Sequence, residues 1–176
     1  MKGFEMINSK IEKALNEQIN KEFFSSYLYL SMSSYFESKN LTGMANWMKI
    51  QADEEHLHAM KFYAYLIQKG GRAILTSIET PKSDWKSALD AYEDTYTHEK
   101  FITASIDELV NLCHEVKDHA TTNFLQWFVT EQVEEEANVT KIIDDLKLIG
   151  DNNYGIFMLD RELGTRVAAP QTPAAV

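Results

Sequence analysis

A chain of 176 residues, 44% of them hydrophobic, has enough material for one sizeable core. Its formal net charge of −10 is the wrong sign for a phosphate-binding surface and favours cationic guests, so no nucleic-acid partner is expected. The lone cysteine, Cys113, excludes an internal disulfide and any cysteine-built zinc or iron–sulfur site. An acidic Glu5 where a secretory leader needs apolar residues, and no run approaching the ~20 apolar residues of a membrane span, complete the expectation of a cytoplasmic protein without a membrane partner.

The stretch from about Met6 to Ser38 reads as a long helix, with Leu15, Ile19, Glu22, Ser26, Tyr29, Ser33 and Phe36 at steps of three and four. Glu22 therefore stands where an apolar residue belongs. Lys39 to Gly43 breaks the pattern, and Thr42 is the expected N-cap of a second helix from about Gly43 to Lys69. Its seam is Met44, Trp47, Gln51, Glu55, His58, Phe62 and Tyr65, which puts Glu55 and His58 one turn apart on one face. Gly70 and Gly71 end it.

From about Arg72 to Lys86 there is no helical period, so this stretch reads as a connection. About 15 extended residues reach roughly 50 Å, against about 40 Å for a 27-residue helix. That is long enough to cross a whole bundle and leave the second and third helices parallel. The third helix, about Ser87 to Lys117, carries Leu89, Tyr92, Tyr96, Glu99, Thr103, Ile106 and Val110 on its seam. After a turn near Asp118 to Thr121, a fourth helix runs to about Ile149 with Phe124, Phe128, Glu131, Glu135, Asn138 and Ile142 on one face. A short apolar fifth helix, Tyr154 to Leu163, would be a liability on a monomer and favours an assembly that covers it. Residues 1–167 make one domain, and Ala168 to Val176 are expected to form a disordered tail.

Helices joined by tight turns are antiparallel, so residues equally far from the turn lie side by side. Glu22 and His58 are each about 18 residues from the first turn, while Glu99 and Glu135 are about 21 and 15 from the second, a mismatch that long side chains can close. All four helices thus bring a carboxylate to mid-height, where an unpaired buried charge costs several kcal/mol. Such convergence is the pattern of di-iron carboxylate bundles, and oxygen-rich ligands with an imidazole suit iron or manganese. We assign Glu22, Glu55 and His58 to one metal, Glu99 and Glu135 to a second, and a bridge to Glu55. Glu54, Glu131 and Glu134 neighbour this set and are candidates for a third cation, although acidic runs commonly face water. His114 and His119 are five apart, not the four of a zinc protease helix, so they and Glu115 and Asp118 read as surface residues or the lining of an entry pore.

These residues resemble the haem-free bacterial ferritins. The matching motifs are Asn16 to Glu22 followed by Ser25 to Tyr29, then Asp53-Glu-Glu-His-Leu-His58, Tyr96-Thr-His-Glu99 and Asn123 to Glu136, spread in order over nearly the whole chain. The resemblance implies an all-α, ferritin-like four-helix bundle with a long crossover and a short fifth helix. It further implies a hollow 24-subunit homo-oligomer that acts as a ferroxidase, oxidising Fe(II) with O2 or H2O2 and storing the Fe(III) mineral inside. Carried over by position, Gln132 lies beside the second iron held by Glu99 and Glu135. Glu54, Glu131 and Glu134 match a third iron site, and Tyr29 and Trp127 match aromatic residues that supply electrons. His56 follows Glu55 where haem-binding relatives have a methionine ligand, so no haem is expected. Gln132-Val-Glu-Glu135 in place of a second Glu-x-x-His separates the chain from oxygen-activating di-iron enzymes. The rival readings are a di-iron oxygen activator or peroxide-detoxifying enzyme that stores no mineral, and a plain bundle with solvated carboxylates.

Overall fold

A computed structural model describes residues 7–168. Five helices follow one another, α1 (Ser9–Ser38), α2 (Thr42–Gln68), α3 (Ala88–Val116), α4 (His119–Ile149) and α5 (Asn153–Leu163), and there is no strand among the described residues. The expected all-α four-helix bundle with a short fifth helix is the fold. The expected helical start at Met6 and the tail from residue 169 onward lie outside the described residues. None of the described helices is long and apolar enough to cross a membrane.

Three boundaries differ from the sequence reading, each for a local reason. The α1 N-cap is Asn8, whose side chain accepts from the Lys10 amide at 2.9 Å. Thr42 does not cap α2; it is the first helical residue, and Leu41 occupies the cap position without a side-chain bond. Leu41 instead packs, half-buried, against the core. The α3–α4 turn is tighter than expected because Lys117 adopts the left-handed region (φ 60°). Asp118 then caps α4 by accepting from the Thr121 amide at 3.0 Å and the Thr121 hydroxyl at 2.7 Å.

The topology follows from side-chain contacts. Ser26 donates to the Ala52 carbonyl and Ser33 to that of Ala45, so α1 and α2 are antiparallel. Tyr29 meets Glu99 while Ser105 meets Gln18, so α1 and α3 are antiparallel as well. The second and third helices are therefore parallel, which the long connection permits. That connection runs along α1: the Arg72 amide donates to Glu12 at 2.8 Å, Asn20 to the Thr76 hydroxyl at 2.9 Å, and Ser31 to the Lys82 carbonyl at 2.8 Å. Trp85 then anchors its end, buried against Tyr35, with its indole N–H donating to Asp94 at 2.7 Å.

Because each helix packs on more than one neighbour, its buried face is wider than a single seam. Ser25 joins the interior beside half-buried Ser26, Thr95 and Ile102 beside half-buried Tyr96 and Thr103, and Val139 replaces Asn138, which is exposed. The apolar interior is in two parts. One is built around Tyr29, Met32, Phe36, Met44, Met48 and Tyr92, and the other around Ile11, Leu15, Phe62, Leu66, Leu125 and Phe128. One glutamate from each of the four helices, Glu22, Glu55, Glu99 and Glu135, is buried between these parts.

The fifth helix docks on the start of α2. Asp160 accepts from the Met44 amide at 2.9 Å, and a side chain at Gly43 would run into the Asp160 carbonyl, a backbone atom with nowhere to move. We predict that Gly43→Ala undocks α5, lowering stability by roughly 2 kcal/mol or more, readable as a fall of about 4–8 °C in the unfolding midpoint and as loss of amide-exchange protection in α5. Gly164→Ala, whose added carbon would approach Gly43 Cα at a milder 3.2 Å, should cost less. Equal effects would contradict the close-approach argument.

Candidate metal centre

Among the described residues, fourteen polar or charged side chains are buried, and most of them lie in the layer between the two apolar parts. Glu22 comes from α1, Glu55 and His58 from α2, Glu99 from α3, and Gln132 and Glu135 from α4, all 4% exposed or less. The helical register puts them there: three residues separate Glu55 from His58 and Gln132 from Glu135, so each pair shares a face. Glu22, Glu55 and His58 each offer a ligand atom within 4.8 Å of the others. His58 Nδ1 lies 3.2 Å from Glu55 Oε2.

The remaining oxygens are held by amides and a phenol. Gln18 donates to Glu22 Oε1 at 2.8 Å; Ser105 donates to Gln18 at 2.6 Å, and Lys21 to Ser105 at 2.6 Å. This relay ties one oxygen of Glu22 to an ammonium. The other, Oε2, is buried with no hydrogen-bond partner. A buried, unpaired carboxylate oxygen is costly, and here it belongs to the triad whose three ligand atoms converge. On the other side, Tyr29 donates its phenolic proton to Glu99 Oε1, and Gln132 Nε2 donates to Glu99 Oε2 at 3.1 Å. Gln51 Nε2 spans Glu135 at 2.7 Å and Glu55 at 3.3 Å.

Burial pushes the carboxyls of Glu22, Glu55 and Glu135 well above the usual carboxylate range, and repulsion among them pushes them further. Burial raises Glu99 too, while its bonds from Tyr29 and Gln132 oppose the rise. Burial likewise raises the Tyr29 phenol. His98, beside Tyr29 and 2.7 Å from the Ser25 hydroxyl, is lowered to about 4 by burial, so its imidazole is neutral. Ionised, the four carboxylates outnumber the single imidazole of the layer, His58. Carboxylate oxygens with one imidazole are a donor set that suits hard-to-intermediate metals such as iron, and Glu22, Glu55 and His58 could hold such an ion.

The other candidate residues are placed differently. Glu54 is turned to Arg166, which pairs with it at 2.5 Å; Glu131 is half-buried and Glu134 exposed. Among the described residues, the converging group of three or more is Glu22, Glu55 and His58, and the trio Glu54, Glu131 and Glu134 does not close into one. Trp127 is 40% exposed; its ring meets His58 edge-on at 5.3 Å and lies under the Lys61 ammonium. His114, Glu115 and His119 are exposed, and Asp118 is engaged as the α4 cap.

Sequence reasoning left Gln18, Gln51 and Arg166 without a role. The two glutamines had a signal, since each precedes a buried glutamate by four residues, Gln18 before Glu22 and Gln51 before Glu55. Such pairs stack on one helical face.

Comparison with known proteins gives a consistent picture. Residues 12–149 match the Ferritin family profile, described as a ferritin-like domain. A bacterial non-heme ferritin of Bacteroides fragilis is 44% identical over 161 residues, covering 92% of this chain and 100% of its own. One of Campylobacter jejuni is 44% identical over 156 residues, covering 89% and 93%. The structure of an open pore ferritin from the archaeon Archaeoglobus fulgidus superposes with a TM-score of 0.91 at 49% identity, covering 92% of this chain and 98% of that one. With the four-helix bundle, its parallel second and third helices and its buried carboxylate layer already in place, the chain belongs to the ferritin family.

Proposed function

We propose that this chain is the subunit of an iron-storage protein with ferroxidase activity, which oxidises Fe(II) at an intrasubunit pair of sites and keeps the Fe(III) mineral inside a hollow 24-subunit shell. The observation that carries the reading is the dry layer of four carboxyls, in which Glu22, Glu55 and His58 converge and one Glu22 oxygen has no hydrogen-bond partner. Relatives named as non-heme ferritins support the storage part. Tyr154, Phe157 and Met158 on α5 are exposed, and subunit contacts would cover them.

Iron is the substrate. Glu22, Glu55 and His58 hold one Fe(II), Glu99 and Glu135 the other, with Glu55 between them and Gln132 beside the second. Two ferrous ions give up one electron each, and O2 or H2O2 takes the pair. The protein's contribution is to hold both ions close while leaving positions open for the oxidant. Tyr29 keeps Glu99 in place, and where O2 is reduced beyond the two electrons of the iron pair, its phenol can give a further electron to the bound oxidant as its proton passes to that carboxylate. Trp127, at the outer side of His58, is a second electron source. The second iron has no imidazole, so it is held more weakly and released more easily, as storage requires. A third ion at Glu54, Glu131 and Glu134 would require Glu54 to leave Arg166, and no haem takes part.

Three outcomes are expected. Glu22→Ala and His58→Ala should each slow stopped-flow Fe(II) oxidation at least tenfold; unchanged rates would overturn the assignment of the first site. Aerobic Fe(II) added to the native protein should co-elute, far in excess of the subunit number, with a high-mass species on gel filtration. Turnover of oxidant without retained iron would favour the peroxide-consuming alternative. Finally, the raised carboxyls set a pH dependence. A carboxyl with its folded pKa above its unfolded one binds protons preferentially in the folded state, so stability falls as pH rises above the unfolded value, ordinarily ~4.3. The metal-free protein should therefore lose thermal stability as pH rises from about 5 towards neutrality, and added Co(II) should restore it most at the upper end. A metal-free stability that rises with pH across this window would contradict the buried-carboxyl account.

A further inference from the structure

Arg166, which the chemistry above does not use, makes four polar contacts with α2. It lies past the end of α5. Its guanidinium donates from Nη1 to the Trp47 carbonyl at 3.2 Å and to Gln51 Oε1 at 2.9 Å, and from Nη2 to Glu54 at 2.5 Å. Its backbone is tied too, since Asn46 donates to the Arg166 carbonyl at 3.1 Å. The guanidinium also lies 4.4 Å from the centre of the Trp47 ring.

A guanidinium has only donors. Gln51 must therefore present its carbonyl to Arg166, which leaves its NH2 facing the opposite way, onto Glu135 at 2.7 Å and Glu55 at 3.3 Å. Without Arg166 the amide loses the contact that pins its oxygen and is held only by its two bonds to Glu135 and Glu55. We propose that Arg166 is a positioning residue for the metal centre: it fixes the Gln51 amide, and through it the placement of Glu135 and Glu55 for the second metal. Glu22 is fixed independently by Gln18, Ser105 and Lys21, and Glu55 also contacts His58. The second site therefore depends on Arg166 far more than the first. It follows that the docking of α5, which delivers Arg166, and occupancy of the second site are thermodynamically coupled.

This inference rests on the metal-binding reading above. Its test is anaerobic Co(II) titration calorimetry on the full-length assembled protein and on R166A, Q51A and the double variant. R166A is expected to weaken the second Co(II) at least tenfold, in the range of other outer-sphere ligand partners, while the first changes less than threefold. Q51A should show the same loss, and the double variant no more than either single one, because both act through one contact. A merely structural arginine would lower the unfolding temperature and keep the ratio of the two affinities. Should R166A fail to assemble, R166K keeps the charge but cannot fork between Gln51 and Glu54, and a loss of at least threefold at the second site is expected. An unchanged affinity ratio in a folded Arg166 variant, or additive losses in the double variant, would overturn the inference alone. A native protein that binds no Co(II) would overturn the proposed function and this inference with it.

Discussion

Negative charge confined in a dry interior is the constraint on which this structure turns. Four helices each contribute a glutamate to a layer with almost no exposure, and transfer of an ionised carboxylate into such surroundings is among the costliest things a fold can do. Without cations the layer is kept by protonation and by neutral donors: Gln18 on Glu22, Gln51 on Glu55 and Glu135, Gln132 and Tyr29 on Glu99. None of these donors is a charged side chain. They satisfy oxygens without adding positive charge to the layer.

The two apolar parts on either side make the layer possible. Tyr29, Phe36 and Tyr92 on one side, and Phe62, Leu66 and Phe128 on the other, are almost fully buried and bring the large hydrophobic gain that offsets a destabilised middle. The crossover matters for the same reason. By running along α1 it lets α2 and α3 lie parallel, so that Glu22 on α1 faces Glu55 while Tyr29, two turns on, meets Glu99. A short connection would have placed α3 antiparallel to α2 and moved Glu99 to a different height.

Much of this was legible from residue spacing. Each helix showed a seam interrupted by a glutamate, and counting from the turns was enough to expect Glu22 and His58 at one level. What spacing could not show was contact between residues far apart in the chain. Arg166 lies 112 residues from Glu54, so an apparently free acidic residue beside the site proved to have a resident partner. Asn138 and Val139 exchanged places because α4 packs against two directions at once, which a single seam does not describe. Thr42 had the right chemistry for a cap, but the cap position falls on Leu41, which is half-buried against the core.

The most direct test is iron-edge anomalous diffraction from crystals soaked anaerobically in Fe(II). Two peaks are predicted inside the layer, one among Glu22, Glu55 and His58 and one between Glu99 and Glu135, with Gln51 withdrawn from at least one of its carboxylates. A layer in which the glutamates keep their amide partners and no iron signal appears would contradict the claim that the buried charge exists to hold metal.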